Sequence, residues 1–71
     1  MYYKSLRLAD HVRRYSVAAA EPWGWVVTLE EDASVRRRDR YDDWHRVERA
    51  MALLKIEVEQ LTARGWEPVE N

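Results

Sequence analysis

The sequence predicts an α+β domain in which a three-stranded antiparallel β-meander is followed by one long helix packed on one of its faces (β-β-β-α). Two observations support this fold class. Apolar and polar residues alternate in short segments between His11 and Tyr41, and from Asp42 to Trp66 apolar residues recur in steps of three and four. Alternation is typical of half-buried strands, and the second spacing places side chains on one stripe of a helix. A striped helix packed on a sheet is a stable two-layer arrangement.

The helix between Asp42 and Trp66 has recognisable signals at both ends. Asp42 or Asp43 can accept hydrogen bonds from the free N–H groups of the first turn. Gly65 can adopt the left-handed conformation that ends a helix, which would bring Trp66 against Leu61 in a Schellman motif. The stripe predicted to face the sheet consists of Trp44, Val47, Met51, Leu54, Val58 and Leu61.

Three segments before the helix are predicted to be strands: His11 to Ala19, Trp23 to Glu30 and Ser34 to Tyr41. The first two each have one strongly apolar face, and the apolar face of the second includes Trp23 and Trp25. The third has none, and this favours an edge strand, because charged side chains protect sheet edges from unwanted pairing. The sheet residues expected to meet the helix are Tyr15, Val17, Trp25, Val27, Leu29 and Tyr41.

A length of 71 residues predicts one domain at most. Residues 1–10 are interpreted as a flexible leader or an extra short strand near Ser5 to Ala9, and residues 11–71 as a single α+β domain. The chain contains no cysteine, which fits a reducing cytoplasm. No apolar run approaches the roughly 20 residues of a membrane span, and the N-terminus lacks the apolar region of a secretory signal. We therefore expect a cytoplasmic protein without membrane contact.

Leu53 and Ile56 lie outside the predicted core stripe, at about 240° and 180° from Val47 on a helical wheel. Two large apolar residues on one patch predict a contact surface, used by a homodimer or by an unknown protein partner. The edge of the third predicted strand, Ser34 to Tyr41, is the other candidate for such a contact. Small domains without disulfides often gain stability by oligomerising. The alternative is that the N-terminal leader, with Tyr2, Tyr3, Leu6 and Leu8, folds back over this patch.

The third strand carries an unusual run of arginines. Alternation would place Arg36, Arg38 and Arg40 on one face, where Arg14 could join them, and such a row could bind phosphates. However, 12 basic and 13 acidic residues leave a net charge of −1, whereas nucleic-acid-binding domains are typically basic. The aromatic residues are also expected on the opposite, core face, away from bases that could stack on them. We therefore expect no tight, specific binding of nucleic acid, and weak binding by this row is the alternative function.

No residue pattern predicts an enzyme, a metal site or a cofactor. Neither His11 nor His45 has another histidine or a cysteine at the spacing of metal ligands. The carboxylates Glu30, Glu31 and Asp32 fall in a predicted turn that is exposed to solvent, whereas paired catalytic carboxylates need a cleft that perturbs their pKa values. Only two glycines are present, too few for a glycine-rich phosphate loop. We expect no catalytic residue and no bound metal or cofactor.

The order of strands followed by a helix that ends in Gly65-Trp66 resembles the outline of WGR domains, which bind nucleic acid in larger polymerases. The resemblance covers Trp25 to Trp66. The Trp-Gly-Arg signature of that family is absent, because Trp23 and Gly24 are followed by Trp25. No binding residue is therefore transferred from the family.

Overall fold

The computed structural model describes residues 2–69. Its elements are β1 (Tyr2–Leu8), β2 (His11–Ala19), β3 (Trp25–Glu31), β4 (Ser34–Tyr41), α1 (Trp44–Ala63) and β5 (Glu67–Pro68). The strands form one antiparallel sheet in the order β4-β3-β2-β1-β5. The chain is thus of the predicted α+β class. Met1 of the predicted leader and residues 70–71 of the predicted domain lie outside the described residues.

The predicted count of three strands is too low. β1 pairs with β2 along its whole length, from Tyr2 opposite Val17 to Leu8 opposite His11, and Leu6 is completely buried. Lys4 lies between Tyr2 and Leu6 on the same face, which weakens the alternation that would have revealed this strand. β5 follows the helix and pairs with the outer edge of β1, where the missing N–H of Pro68 is tolerated.

β3 begins at Trp25 rather than at the predicted Trp23. The Glu21–Pro22 peptide is cis, and Trp23 lies in the following loop with 67% of its surface exposed. Gly24 has a φ of +96°, and a Cβ there would lie 2.8 Å from the carbonyl oxygen of Tyr41. A residue with a side chain would be strained here by both its φ and this contact. Trp23 is therefore a loop residue and not part of the core.

The β3–β4 connection is a two-residue turn in which Asp32 and Ala33 both have positive φ, +52° and +68°. Two positive φ values match the twist that adjacent strands require. The Asp32 carboxylate accepts a 2.9 Å hydrogen bond from the backbone N–H of Val12, and its other oxygen lies 2.9 Å from Nδ1 of His11. A side chain therefore holds this turn against β2 without the usual Asn-Gly sequence.

Both predicted ends of the helix are confirmed, to within a few residues. Asp43 is the N-cap, and its side chain accepts a 2.9 Å hydrogen bond from the backbone N–H of His45. At the other end the N–H of Trp66 donates to the carbonyl of Leu61 and that of Gly65 to the carbonyl of Thr62. This pair of hydrogen bonds is the predicted Schellman motif.

The core lies between α1 and the face of the sheet that it covers. Its buried apolar residues are Leu6, Tyr15, Val17, Val27, Val47, Leu54 and Leu61. Most of the predicted stripe is confirmed, and Leu6 is an addition from β1. Trp44 is exposed at the start of the helix, where its ring lies 5.1 Å from that of the half-buried Trp25. The two tryptophans therefore pack on each other at the margin of the core.

Candidate interaction surfaces

A groove of about 700 Å³ runs along one side of α1, between the helix and the part of the sheet formed by β3 and β4. The helix contributes Leu53 and Ile56 to its wall, and the sheet contributes Val27 and Tyr41. The groove exists because the core stripe packs against the sheet while Leu53 and Ile56 lie about 80° or more around the helix from it. The side of the helix identified from the sequence is thus one wall of a concave surface.

Leu53 and Ile56 are 64% and 51% exposed. The N-terminal segment does not cover them, because β1 is a strand of the sheet and Leu6 is in the core. Tyr3 pairs with Ser16, so the alternation of β1 turns its side chain to the face of the sheet opposite α1. The alternative of a leader folded over this patch is therefore wrong for residues 2–8.

The rim of the groove is polar and carries charges of both signs. It is lined by Arg46, Arg49 and Glu57 of α1 and by Arg37 and Asp39 of β4. Arg37 and Asp39 form a surface ion pair at 4.0 Å. Within residues 2–69, no carboxylate lies within 4.0 Å of a guanidinium nitrogen of Arg46 or Arg49. Arg37 and Arg46 line the same groove only because the helix packs on the sheet, so the sequence did not predict that they lie together.

The arginines of β4 do not form the continuous row expected from alternation. Arg38 pairs with Thr28 and Arg40 with Val26, but the register then shifts between Leu29 and Glu30. Val35, rather than Arg36, is the partner of Glu30, so Arg36 is the extra residue of a bulge. The sequence could not show this shift, because a bulge depends on the pairing of two strands.

Arg14 and Arg40 have local environments that the sequence did not reveal. Arg14 pairs with Glu30 on β3 and is therefore two strands away from β4. The Nη2 of Arg40 donates to the carbonyl of Trp23 at 2.7 Å and to that of Glu21 at 3.3 Å. Arg40 thus holds the β2–β3 loop. Of the four predicted contacts for nucleic acid, Arg14 and Arg38 are exposed members of the regular sheet on the face opposite α1.

The expectation that this face lacks aromatic residues was incomplete. Tyr3 is exposed on it, because Tyr3 pairs with Ser16, Ser16 pairs with Thr28, and Thr28 pairs with Arg38. Tyr3 is three strands away from Arg38. The face of the sheet opposite α1, called the open face below, therefore presents one aromatic ring far from Arg38 and not a set of rings beside the arginines on which bases could stack.

A polar cluster at the other end of the helix was not anticipated. The guanidinium of Arg13 lies 3.5 Å from Glu31 and 3.9 Å from Glu57, donates to the hydroxyl of Tyr15 at 3.4 Å, and stands 5.6 Å from the ring centre of Trp66. Burial raises the pKa of the Tyr15 hydroxyl. The cluster connects β2, β3, α1 and the segment after the helix. One sequence feature pointed to this cluster: Arg13 lies two residues before Tyr15 on β2, so both side chains are on the core face of that strand.

The two histidines have separate carboxylate partners near the surface. The hydrogen bond that the His11 ring donates to the Asp32 carboxylate, together with the negative charge of Asp32, raises the pKa of His11, and the same hydrogen bond is the main cause that lowers the pKa of Asp32. His45 lies 3.5 Å from Glu48, one turn further along the helix. Among residues 2–69, no three His, Cys, Asp or Glu side chains cluster closely enough to bind a metal.

In comparisons with known proteins, no family model, curated protein or solved structure matches this chain significantly. No helix within residues 2–69 has the length and the apolar character needed to cross a membrane. The surfaces described above are thus the basis for any functional conclusion.

Proposed function

We propose that the protein is a small, non-enzymatic interaction module that forms a homodimer through the side of α1 carrying Leu53 and Ile56. One observation supports this most strongly: two large apolar side chains are more than half exposed on one wall of a groove. A two-fold dimer presents the same patch from both subunits, so each residue is buried twice. Arg49 and Gln60 on the same side form a polar rim that limits further association.

The size of this patch supports a weak dimer. Burying one such side chain from full exposure contributes about 1.5–3 kcal/mol. Leu53 and Ile56 are 64% and 51% exposed, so covering the four side chains of a dimer contributes about 3–7 kcal/mol. Association itself costs an estimated 4–15 kcal/mol in translational and rotational freedom. Packing of the groove walls must supply the remainder, and a dissociation constant near ~10 μM corresponds to about 7 kcal/mol net.

Replacing Leu53 and Ile56 together with glutamate tests the proposal. We expect sedimentation velocity at ~100 μM to show a shift from dimer to monomer, with unchanged helical circular dichroism, because charged carboxylates cannot be buried unpaired. Lys55→Glu is the matched control, since it also makes the net charge more negative by two but lies on another side of α1. A control that dissociates equally would contradict the assignment of the patch.

The absence of cysteine also supports a cytoplasmic location for this dimer, because disulfides do not persist in a reducing compartment. Each histidine is paired with a surface carboxylate, which supports a non-catalytic role. Fractionation of cells that make the protein naturally checks the location. Recovery outside the cytoplasmic fraction would contradict it.

The alternative function is weak nucleic-acid binding by Arg14, Arg36, Arg38 and Arg40. It is supported by the exposure of Arg14 and Arg38 on the open face together with Tyr3. It is weakened by Glu30 opposite Arg14 and by the bonds of Arg40 to the β2–β3 loop. Titration of a labelled oligonucleotide at several salt concentrations separates the two functions, since phosphate contacts weaken steeply with salt. Binding that is abolished by Arg14→Gln with Arg38→Gln would favour the alternative.

A further inference from the structure

β4 is an edge strand of eight residues, paired with β3 on one side only. Beyond the bulge at Arg36, alternate residues from Arg37 to Tyr41 direct backbone N–H and C=O groups away from the sheet on the outer side. Such an edge is a template for an additional strand from another chain, and several peptide-binding domains use this mode. A partner at this edge gains affinity from backbone hydrogen bonds and specificity from alternate side chains.

The charges of β4 point to the chemistry of that partner. The strand contains four arginines and one aspartate in a chain whose net charge is −1. Arg37 pairs with Leu29 and lines the groove on the helix side, whereas Arg38 pairs with Thr28 and lies on the opposite face. A ligand lying on one face reaches only one of these two arginines. A strand added at the edge has side chains on both faces and reaches both.

A second copy of β4 is a poor candidate for this position. An antiparallel pairing centred on Arg38 places Arg38 opposite its own copy and Arg36 opposite Arg40, and only Arg37 meets an opposite charge, that of Asp39. Like-charged pairs therefore outnumber oppositely charged pairs in this register. Like charges directly opposite each other destabilise a sheet. The same arginines attract a strand that carries carboxylates, since guanidinium and carboxylate groups form charge-assisted hydrogen bonds. The edge therefore discriminates by charge between a copy of itself and an acidic partner.

We propose that the edge of β4 binds an extended, acidic peptide segment of a different protein as an additional antiparallel or parallel strand. Successive carboxylates of the peptide alternate between Arg37 on the groove side and Arg38 on the open side. The partner differs from the homodimer proposed above in its charge and in lying along the edge of β4, and the two surfaces meet at Arg37 on the rim of the groove. Dimerisation is tested at Leu53 and Ile56 and peptide binding at Arg37 and Arg38, so the failure of one proposal is distinguishable from the failure of the other.

A blocked, fluorescein-labelled peptide, Thr-Glu-Glu-Val-Glu-Glu-Val-Thr, is a suitable probe. We expect saturable binding in fluorescence anisotropy with the natural chain, and a loss of about ten-fold for Arg37→Gln with Arg38→Gln, as for two charge-assisted contacts. The matched control, Arg7→Gln with Arg14→Gln, removes the same charge from β1 and β2 and should change the affinity less than about two-fold. Equal losses in the two variants would overturn the proposal. Circular dichroism checks that both variants fold.

Backbone pairing is tested with two N-methylated forms of the probe, one methylated at alternate peptide nitrogens and one at every peptide nitrogen. The first form keeps the N–H donors of one edge and the second has none, so strand addition predicts that the first binds and the second does not. Equal binding of the two forms would overturn strand addition. A single-stranded oligonucleotide of thymidines that binds more tightly than the peptide, with the same loss in the Arg37/Arg38 variant, would show that the site recognises phosphates and would also overturn the proposal.

Discussion

Leu53 and Leu54 are adjacent in the sequence but lie in opposite environments: Leu54 is 3% exposed in the core, and Leu53 is 64% exposed on the wall of the groove. We expect Leu54→Ala to lower the free energy of unfolding by about 2–5 kcal/mol, because it leaves a cavity under the helix. Leu53→Ala should cost less than about 0.5 kcal/mol in a dilute, monomeric sample. Urea unfolding of the two variants at ~1 μM measures both values, and equal losses would mean that the helix is rotated from this orientation.

Gly24 and Gly65 both have positive φ, but only Gly24 lacks room for a side chain. Gly24→Ala combines a strained φ with a contact 2.8 Å from the backbone oxygen of Tyr41, so we expect a loss of about 2–4 kcal/mol. Gly65→Ala meets only the side chain of Leu8, at 3.8 Å, and should cost about 1 kcal/mol. Thermal unfolding compares them. A larger loss at Gly65 would contradict the described path of the β2–β3 loop.

The hydrogen bond between His11 and Asp32 makes the stability depend on pH. The pKa of His11 is raised in the folded state, so its contribution is complete below the unfolded value of about 6.5 and is lost as the pH rises through the folded pKa. The pKa of Asp32 is lowered, so its contribution is present above the unfolded value of about 3.9 and is lost as the pH falls through the folded pKa.

We therefore expect the free energy of unfolding to decrease between about pH 6 and pH 8 and this decrease to be smaller in His11→Asn. His45→Asn is the control and should retain most of the decrease. Urea unfolding at several pH values measures the slope. If the free energy of unfolding of the His11 variant has the same slope against pH as that of the natural chain, the contact with Asp32 does not form in solution.

Arg40 is expected to stabilise the β2–β3 loop and not to bind a ligand. Its Nη2 donates to the carbonyls of Trp23 and Glu21, and Arg40→Gln should cost about 1 kcal/mol. Arg38→Gln, on the same strand without such bonds, should cost less than about 0.5 kcal/mol. Hydrogen exchange of the Ala20 amide, which donates to the carbonyl of Gly24, should accelerate only in the Arg40 variant.

The parts of the fold that depend on local sequence could be predicted. The helix ends rest on Asp43 and Gly65, and β2 and β4 rest on alternation within one segment. β1 was underestimated because it becomes a recognisable strand only by pairing with β2. β5 was missed because a strand of two residues is too short to show an alternation of apolar and polar residues. The outward position of Leu53 and Ile56 followed from helical spacing, but the groove did not. Its other wall comes from Val27 and Tyr41, and their distance from the helix depends on how the helix crosses the sheet.

The arrangement of the arginines shows the same limit. Alternation correctly placed Arg38 and Arg40 on one face, but the bulge at Arg36 is a property of the register between β3 and β4. The bonds of Arg40 to the loop depend on the path of residues 20–24. Interactions within one segment were thus accessible from the sequence, and those between segments required the structure.

Self-association through α1 is the central claim, and sedimentation equilibrium of the unmodified chain tests it most directly. Samples between ~2 and ~500 μM cover affinities of about 5–8 kcal/mol. We expect the weight-average mass to rise from that of one chain to that of two and to reach a plateau there, because a two-fold contact closes on itself. A mass of one chain over the whole range, or a mass that increases beyond two chains, would contradict the proposed dimer.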